Sequence, residues 1–162
     1  MARLACAVVL ASALVAGCQQ PEIIDEVETG DFAEVLPFET LGIGQRASHT
    51  ERVERLVRTA EEWEAASSTL MPFEAFEDVD FEQVMLAVVV VPVESGGWTI
   101  EVESVERAEG AIEIAYVLGE PGVDCITPTA LATPFQVIRI RKLEDVDVTF
   151  SSRKERFSCK DF

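Results

Sequence analysis

Val84-Met85-Leu86-Ala87-Val88-Val89-Val90-Val91 is an unbroken apolar run, five of its eight residues valine. Branching at Cβ suits a pleated strand. A strand that is apolar at every position is buried on both faces. A chain with such a strand must supply one layer above it and another below. Pro92 lacks the N–H that would continue the ladder and stops it.

The flanking segments read as those layers. Trp98, Ile100, Val102 and Ser104 alternate with Thr99, Glu101 and Glu103, a half-buried strand with an acidic outer face. Ser95-Gly96-Gly97 before it makes a turn or bulge, and Glu109-Gly110 after it makes a hairpin turn. Ile112, Ile114, Tyr116 and Leu118 form the partner strand. Pro121-Gly122 opens a longer loop through Pro128 and Thr133-Pro134. Phe135 to Arg141 is a further strand. Val146, Val148 and Phe150 begin a last one that runs on towards Phe157.

Upstream, Phe38 to Leu41 is a short strand ended by Gly42 and Gly44, and Val53 to Arg58 is another. Thr59 with Glu62 three residues on is a capping box that opens a helix from Ala60 to about Thr69. Trp63, Ala66 and Leu70 share one face of it, and Pro72 ends it. Phe73, Phe76 and Phe81 follow in a mixed loop. Short connections imply antiparallel neighbours. The fold class is α+β: a mainly antiparallel sheet of about six or seven strands with one short helix packed on it.

The N-terminus reads as an export signal. Arg3 precedes an apolar stretch, Leu4 to Ala16, that is too short for a permanent span. It closes on Leu14-Val15-Ala16-Gly17-Cys18, a lipobox. Residues 1–17 are therefore a signal peptide, 18–37 a lipidated flexible tether and 38–162 the domain. Two or three acyl chains on Cys18 hold a protein stably on a bilayer. The expected location is the cell envelope outside the cytoplasm. Gln19 in place of Asp after Cys18 favours an outer membrane where the cell has one.

Export also decides the cysteines. Cys6 leaves with the signal and Cys18 is acylated. Cys125 and Cys159 then meet in a compartment where disulfides persist, and they are expected to pair. The formal charge of −17 disfavours nucleic acid as a partner. A solvated acidic surface accounts for most of it.

Chemistry is sparse. The one histidine, His49, lies in a loop, and no Gly-x-Ser-x-Gly elbow accompanies it. Glu101 and Glu103 share a strand face, which reads as its wet side. Gly96-Gly97 precedes a strand, whereas a phosphate cradle opens a helix. No catalytic, cofactor or metal residues are assigned.

Four features recur together in order. They are Leu56-Val57-Arg58-Thr59 before Glu62-Trp63, the apolar strand ending at Pro92, Ser95-Gly96-Gly97-Trp98-Thr99-Ile100-Glu101-Val102, and Thr133-Pro134-Phe135-Gln136-Val137-Ile138-Arg139-Ile140 with Val148 and Phe150 behind it. In these the chain resembles the PrcB-type lipoproteins over about Val53 to Phe150. It departs from their pattern at Trp98, where Tyr is common, and at Arg141, near which a Pro-Lys pair is common. The family is named for a lipoprotein that associates with a protease and stabilises it. The resemblance implies a non-catalytic module that binds or stabilises a partner protein, with an exported protease as one candidate.

Gly96, Gly97, Trp98, Thr133, Pro134 and Phe135 are the candidate partner-binding residues. The glycines admit another backbone. Trp98 and Phe135, both pointing outward, would make an aromatic patch; the alternative places Trp98 in the core. Two further readings stay open. One is a glycan- or peptidoglycan-binding groove lined by Trp98, Tyr116 and Phe135. The other is a protease-inhibitor-like module, since the Gly-Gly-aromatic and Pro-aromatic loops resemble those of chagasin-like cysteine-protease inhibitors.

Overall fold

The computed structural model describes residues 33–71 and 79–160, which fall in one unit, Asp31–Phe162. The segment 1–32, with the expected signal peptide and Cys18, lies outside the described residues, as do Pro72, Phe73 and Phe76. The strands are β1 (Glu34–Val35), β2 (Phe38–Gly44), β3 (Arg46–Ala47), β4 (Val53–Val57), β5 (Leu70–Met71), β6 (Val84–Val90), β7 (Thr99–Ala108), β8 (Ala111–Pro121), β9 (Phe135–Arg141) and β10 (Asp147–Phe157). One helix, α1 (Ala60–Ser67), lies between β4 and β5. The first sheet has the order β1-β7-β8-β10 and the second β2-β9-β6-β4, with a separate β3-β5 ladder. The fold class is α+β and mainly antiparallel, but the strands form two sheets packed as a sandwich.

β6 explains the layering. Met85, Ala87 and Val89 face the first sheet and join Ile100, Val102, Val105, Ile112, Ile114 and Leu118 in one core. Leu86, Val88 and Val90 face the other way, onto Trp63, Ala66 and Leu70. Both faces of β6 are thus covered, as its composition requires. Each buried side chain of this size contributes roughly 1.5–3 kcal/mol from removal from water.

The helix starts at the N-cap Thr59, whose side chain accepts the Glu62 N–H at 3.2 Å. Glu62 reaches back to the N–H of Arg58, one residue before the cap, at 2.7 Å. The helix stops at Ser67, short of Thr69. Ser68 Oγ and Thr69 Oγ1 donate to the carbonyls of Ala65 and Ala66, competing with continuation of the helix. Leu70 then enters β5.

Three other expectations are corrected. The domain begins before Phe38: β1 pairs with Glu106 and Arg107 of β7, and Leu36 is buried, so the spacer ends earlier than residue 37. β2 runs on through Gly42 and Gly44 instead of ending there, because both keep the backbone groups that pair with β9. Finally, β10 lies parallel to β8, from Asp147↔Ala111 to Phe157↔Pro121. A parallel pair needs a crossover. Here β9 supplies it by crossing through the second sheet.

Candidate docking end of the sandwich

The N-termini of β7 and β9 and the C-termini of β2, β6, β8 and β10 share one end of the sandwich. Three connections meet there: the β2–β3 corner at Gln45, the β6–β7 turn (91–98) and the β8–β9 loop (122–134). They are fastened to one another. Gln45 Nε2 donates to the Trp98 carbonyl at 3.1 Å. Val93 and Ala132 form a two-way backbone bridge. Thr133 Oγ1 accepts from the Ala47 N–H and donates to the Ala47 carbonyl.

The Gly96-Gly97 turn serves this packing. Gly96 donates its N–H to the Pro128 carbonyl at 2.9 Å, and a Cβ on it would stand 3.0 Å from the Pro128 ring. Gly97 has φ +88°, a conformation that favours glycine. The room left by these glycines is therefore filled by the chain's own β8–β9 loop, not kept for a partner backbone.

Cys125 and Cys159 are joined in a disulfide that ties this loop to the segment after β10. Gly122 N–H bonds the Phe157 carbonyl at 2.8 Å beside it. Asp124 accepts the Ser158 hydroxyl at 2.9 Å. That bond, with the N–H groups of Asp124, Cys159 and Lys160, holds its carboxyl below the usual carboxylate range. The loop is long, but it is pinned at its base.

The predicted aromatic patch is not formed. Phe135 is fully buried on the helix side of the second sheet, because an inward position on β9 faces Trp63 and Val57. Pro134 is buried too. Trp98 is half-buried: it packs against the inter-sheet core and carries Lys154 Nζ above its ring, 5.4 Å from the centroid. Tyr116 is also buried, so no groove is lined jointly by Trp98, Tyr116 and Phe135. Thr133, Gly96, Gly97 and Trp98 do share the loop end.

What is exposed there is aliphatic. Val123 and Ile126 stand fully in solvent on either side of Asp124-Cys125, Leu131 is 84% exposed and Ile43 is 62% exposed. Only Val35, near the opposite end, is a comparably exposed large apolar residue among those described. A cleft of about 480 Å³ lies beside Leu131, lined also by His49, Val93 and Thr133. His49 Nε2 is 2.8 Å from Thr69 Oγ1, so the histidine is held by a threonine. The sequence signal for this surface was two aliphatics flanking a cysteine inside a Pro/Gly/Thr loop.

Elsewhere the titratable groups make surface pairs. Glu103 accepts from Arg153 Nε at 3.1 Å, and with Glu155 it holds that guanidinium above its ordinary pKa. Glu101 and Glu103 both lie on the exposed face of β7. Among the described residues no three of His, Cys, Asp and Glu gather to hold a metal ion. No helix among them is long and apolar enough to cross a membrane.

Comparison with known families places the segment from β6 to β9. Residues 86–141 match the model of the PrcB C-terminal family. Over this stretch the chain is similar to the PrcB C-terminal family. No curated protein matches the chain, and no solved structure does. The matched stretch contains most of the doubly buried strand, the Gly96-Gly97 turn, the hairpin at Glu109-Gly110 and the whole β8–β9 loop. It holds Cys125 but not Cys159, so the disulfide closes the PrcB segment onto the strand that follows it.

Proposed function

We propose that this chain is a lipid-anchored, non-catalytic accessory protein that binds and stabilises a partner protein, an exported protease, through the loop end of its sandwich. One observation carries the reading: four of the five large apolar side chains exposed among the described residues gather at that end, three of them on a loop pinned by a disulfide. Exposed apolar clusters on a single face mark interaction surfaces. A pinned loop gives up little entropy when it docks. The match to the PrcB C-terminal family supports the protease-associated class of partner.

The glycan-binding reading loses its support, since Phe135 and Tyr116 are buried. Inhibition of the protease is the second reading, favoured by Ile126 projecting beside the pinned Cys125.

The test is photocrosslinking from position 131, exposed on the same loop, in intact envelopes, with Val123→Asp/Ile126→Asp and Cys18→Ser as comparison chains. One dominant protease crosslink, lost in the double aspartate variant, supports the reading. A shortened protease half-life without the chain marks a stabiliser, and raised turnover marks an inhibitor. Crosslinks to no protein, or crosslinks unchanged by the aspartates, overturn docking through the loop. Envelope release of the Cys18→Ser chain tests the anchor.

A further inference from the structure

A second cleft, of about 390 Å³, opens at the same end between the edges of the two sheets. Val91, Pro92, Leu118 and Trp98 form its apolar wall, and Arg52 and Lys154 line it with Glu94 and Glu120. The chain has 30 acidic and 13 basic side chains, so carboxylates are in excess. It pairs Arg139, Arg141, Arg153 and Arg156 with them. Of the two cations of the cleft, Arg52 has a long ion pair and Lys154 has none. Lys154 has no carboxylate within ion-pair distance among the described residues and rests over Trp98. Arg52 reaches Glu54 only at 3.5 Å and Ser152 at 3.4 Å, the outer limit of a hydrogen bond. Glu120 is engaged by Arg156 at 2.9 Å. Glu94 is exposed and has no partner among the described residues.

We propose that this cleft binds the C-terminal end of a polypeptide. The terminal carboxylate sits with Lys154, whose charge has no carboxylate partner among the described residues, and with Arg52, held by Glu54 only at 3.5 Å. The last apolar side chain packs on Val91, Leu118 and Trp98. Glu94 decides for a peptide over a simple carboxylic acid: it repels a bare carboxylate but accepts a backbone N–H. Capture of chain ends by clustered donors is a recurrent recognition mode. The site uses none of the exposed loop aliphatics, so it stands or falls separately from docking through Val123 and Ile126.

The experiment is calorimetric titration of the full chain in detergent with three probes: acetyl-Ala-Phe-Leu as free acid, the same peptide as its C-terminal amide, and hexanoate. The free acid is expected to bind one to one, with the amide about tenfold weaker for loss of the charged hydrogen bonds. Lys154→Met and Arg52→Gln each bring the free acid down to the amide's affinity, with the urea midpoint unchanged because both side chains are exposed. Trp63→Phe leaves Trp98 as the one tryptophan, and its emission shifts on binding. No binding of the free acid, or equal binding of acid and amide, overturns the proposal. Hexanoate binding as tightly as the peptide overturns the assignment to a chain end.

Discussion

Gln136 on β9 accepts the backbone N–H of Val102 on β7 at 2.7 Å, across the space between the two sheets. The register of β7 shifts between Val102 and Ser104, and the bulge turns this N–H away from the ladder. Gln136 is 3% exposed and also donates to Thr40 Oγ1 at 2.9 Å, so one amide satisfies a donor in the first sheet and an acceptor in the second. Gln136→Leu keeps the volume but orphans the Val102 N–H in the core. The expected cost is about 1–3 kcal/mol, read as a lower urea midpoint with unchanged slope. An unchanged midpoint would show that the bulge N–H finds another partner.

Gln136 also shows where sequence reading stops. β6 declared itself through its composition, and β7 and β8 through alternation closed by Glu109-Gly110, where φ is +49° and +83°, a turn with both central residues left-handed. These signals are local. Gln136 reads as one polar residue on a strand, and only the facing bulge makes it buried. Phe135 is similar: it follows Thr133-Pro134 like a loop aromatic, yet the parity of β9 turns it to α1. The parallel β8-β10 pair depends on which sheet β9 joins, and nothing within β9 encodes that. β1, β3 and β5 are two residues each and carry no periodicity. The exposed aliphatics Val123 and Ile126 were legible as residues, but their exposure depends on the disulfide base that holds the loop out.

The disulfide closes a loop of 34 residues. Restricting the unfolded chain by such a loop stabilises the fold by roughly 3–4 kcal/mol in the loop-entropy account. The Cys125→Ser/Cys159→Ser double variant is expected to lose about that much in urea unfolding. Reducing agent should do the same to the native chain and nothing to the variant. Equal stability before and after reduction would sink the claim that the bridge stabilises the domain.

Val123 and Ile126 touch solvent on nearly all sides, so Val123→Asp/Ile126→Asp should move stability by no more than about 0.5 kcal/mol. Thr59→Ala is the contrasting control. It removes the oxygen that accepts the Glu62 N–H and is expected to cost about 1 kcal/mol. If the aspartates cost more than the cap, the aliphatics are packed in solution and the docking surface is not what it is taken to be. Thermal unfolding of the three chains side by side decides this.

Tyr116, the one tyrosine, lies in the inter-sheet core and donates its hydroxyl to Glu54. Burial first, and the bond to Glu54 second, push its pKa from 10.0 up to about 12. The unfolded chain therefore loses this proton at lower pH than the folded one. The stability that the neutral phenol contributes is complete below pH 10 and is lost as pH rises through 12. A shift of this size corresponds to about 2–3 kcal/mol. Tyrosinate absorbance should rise near pH 12 in the folded protein and near pH 10 in urea. Tyr116→Phe should remove the alkaline fall in stability while costing about 1 kcal/mol at neutral pH for the lost hydrogen bond. A folded chain that forms tyrosinate at pH 10 would show that the hydroxyl is wet and that Glu54 does not hold it.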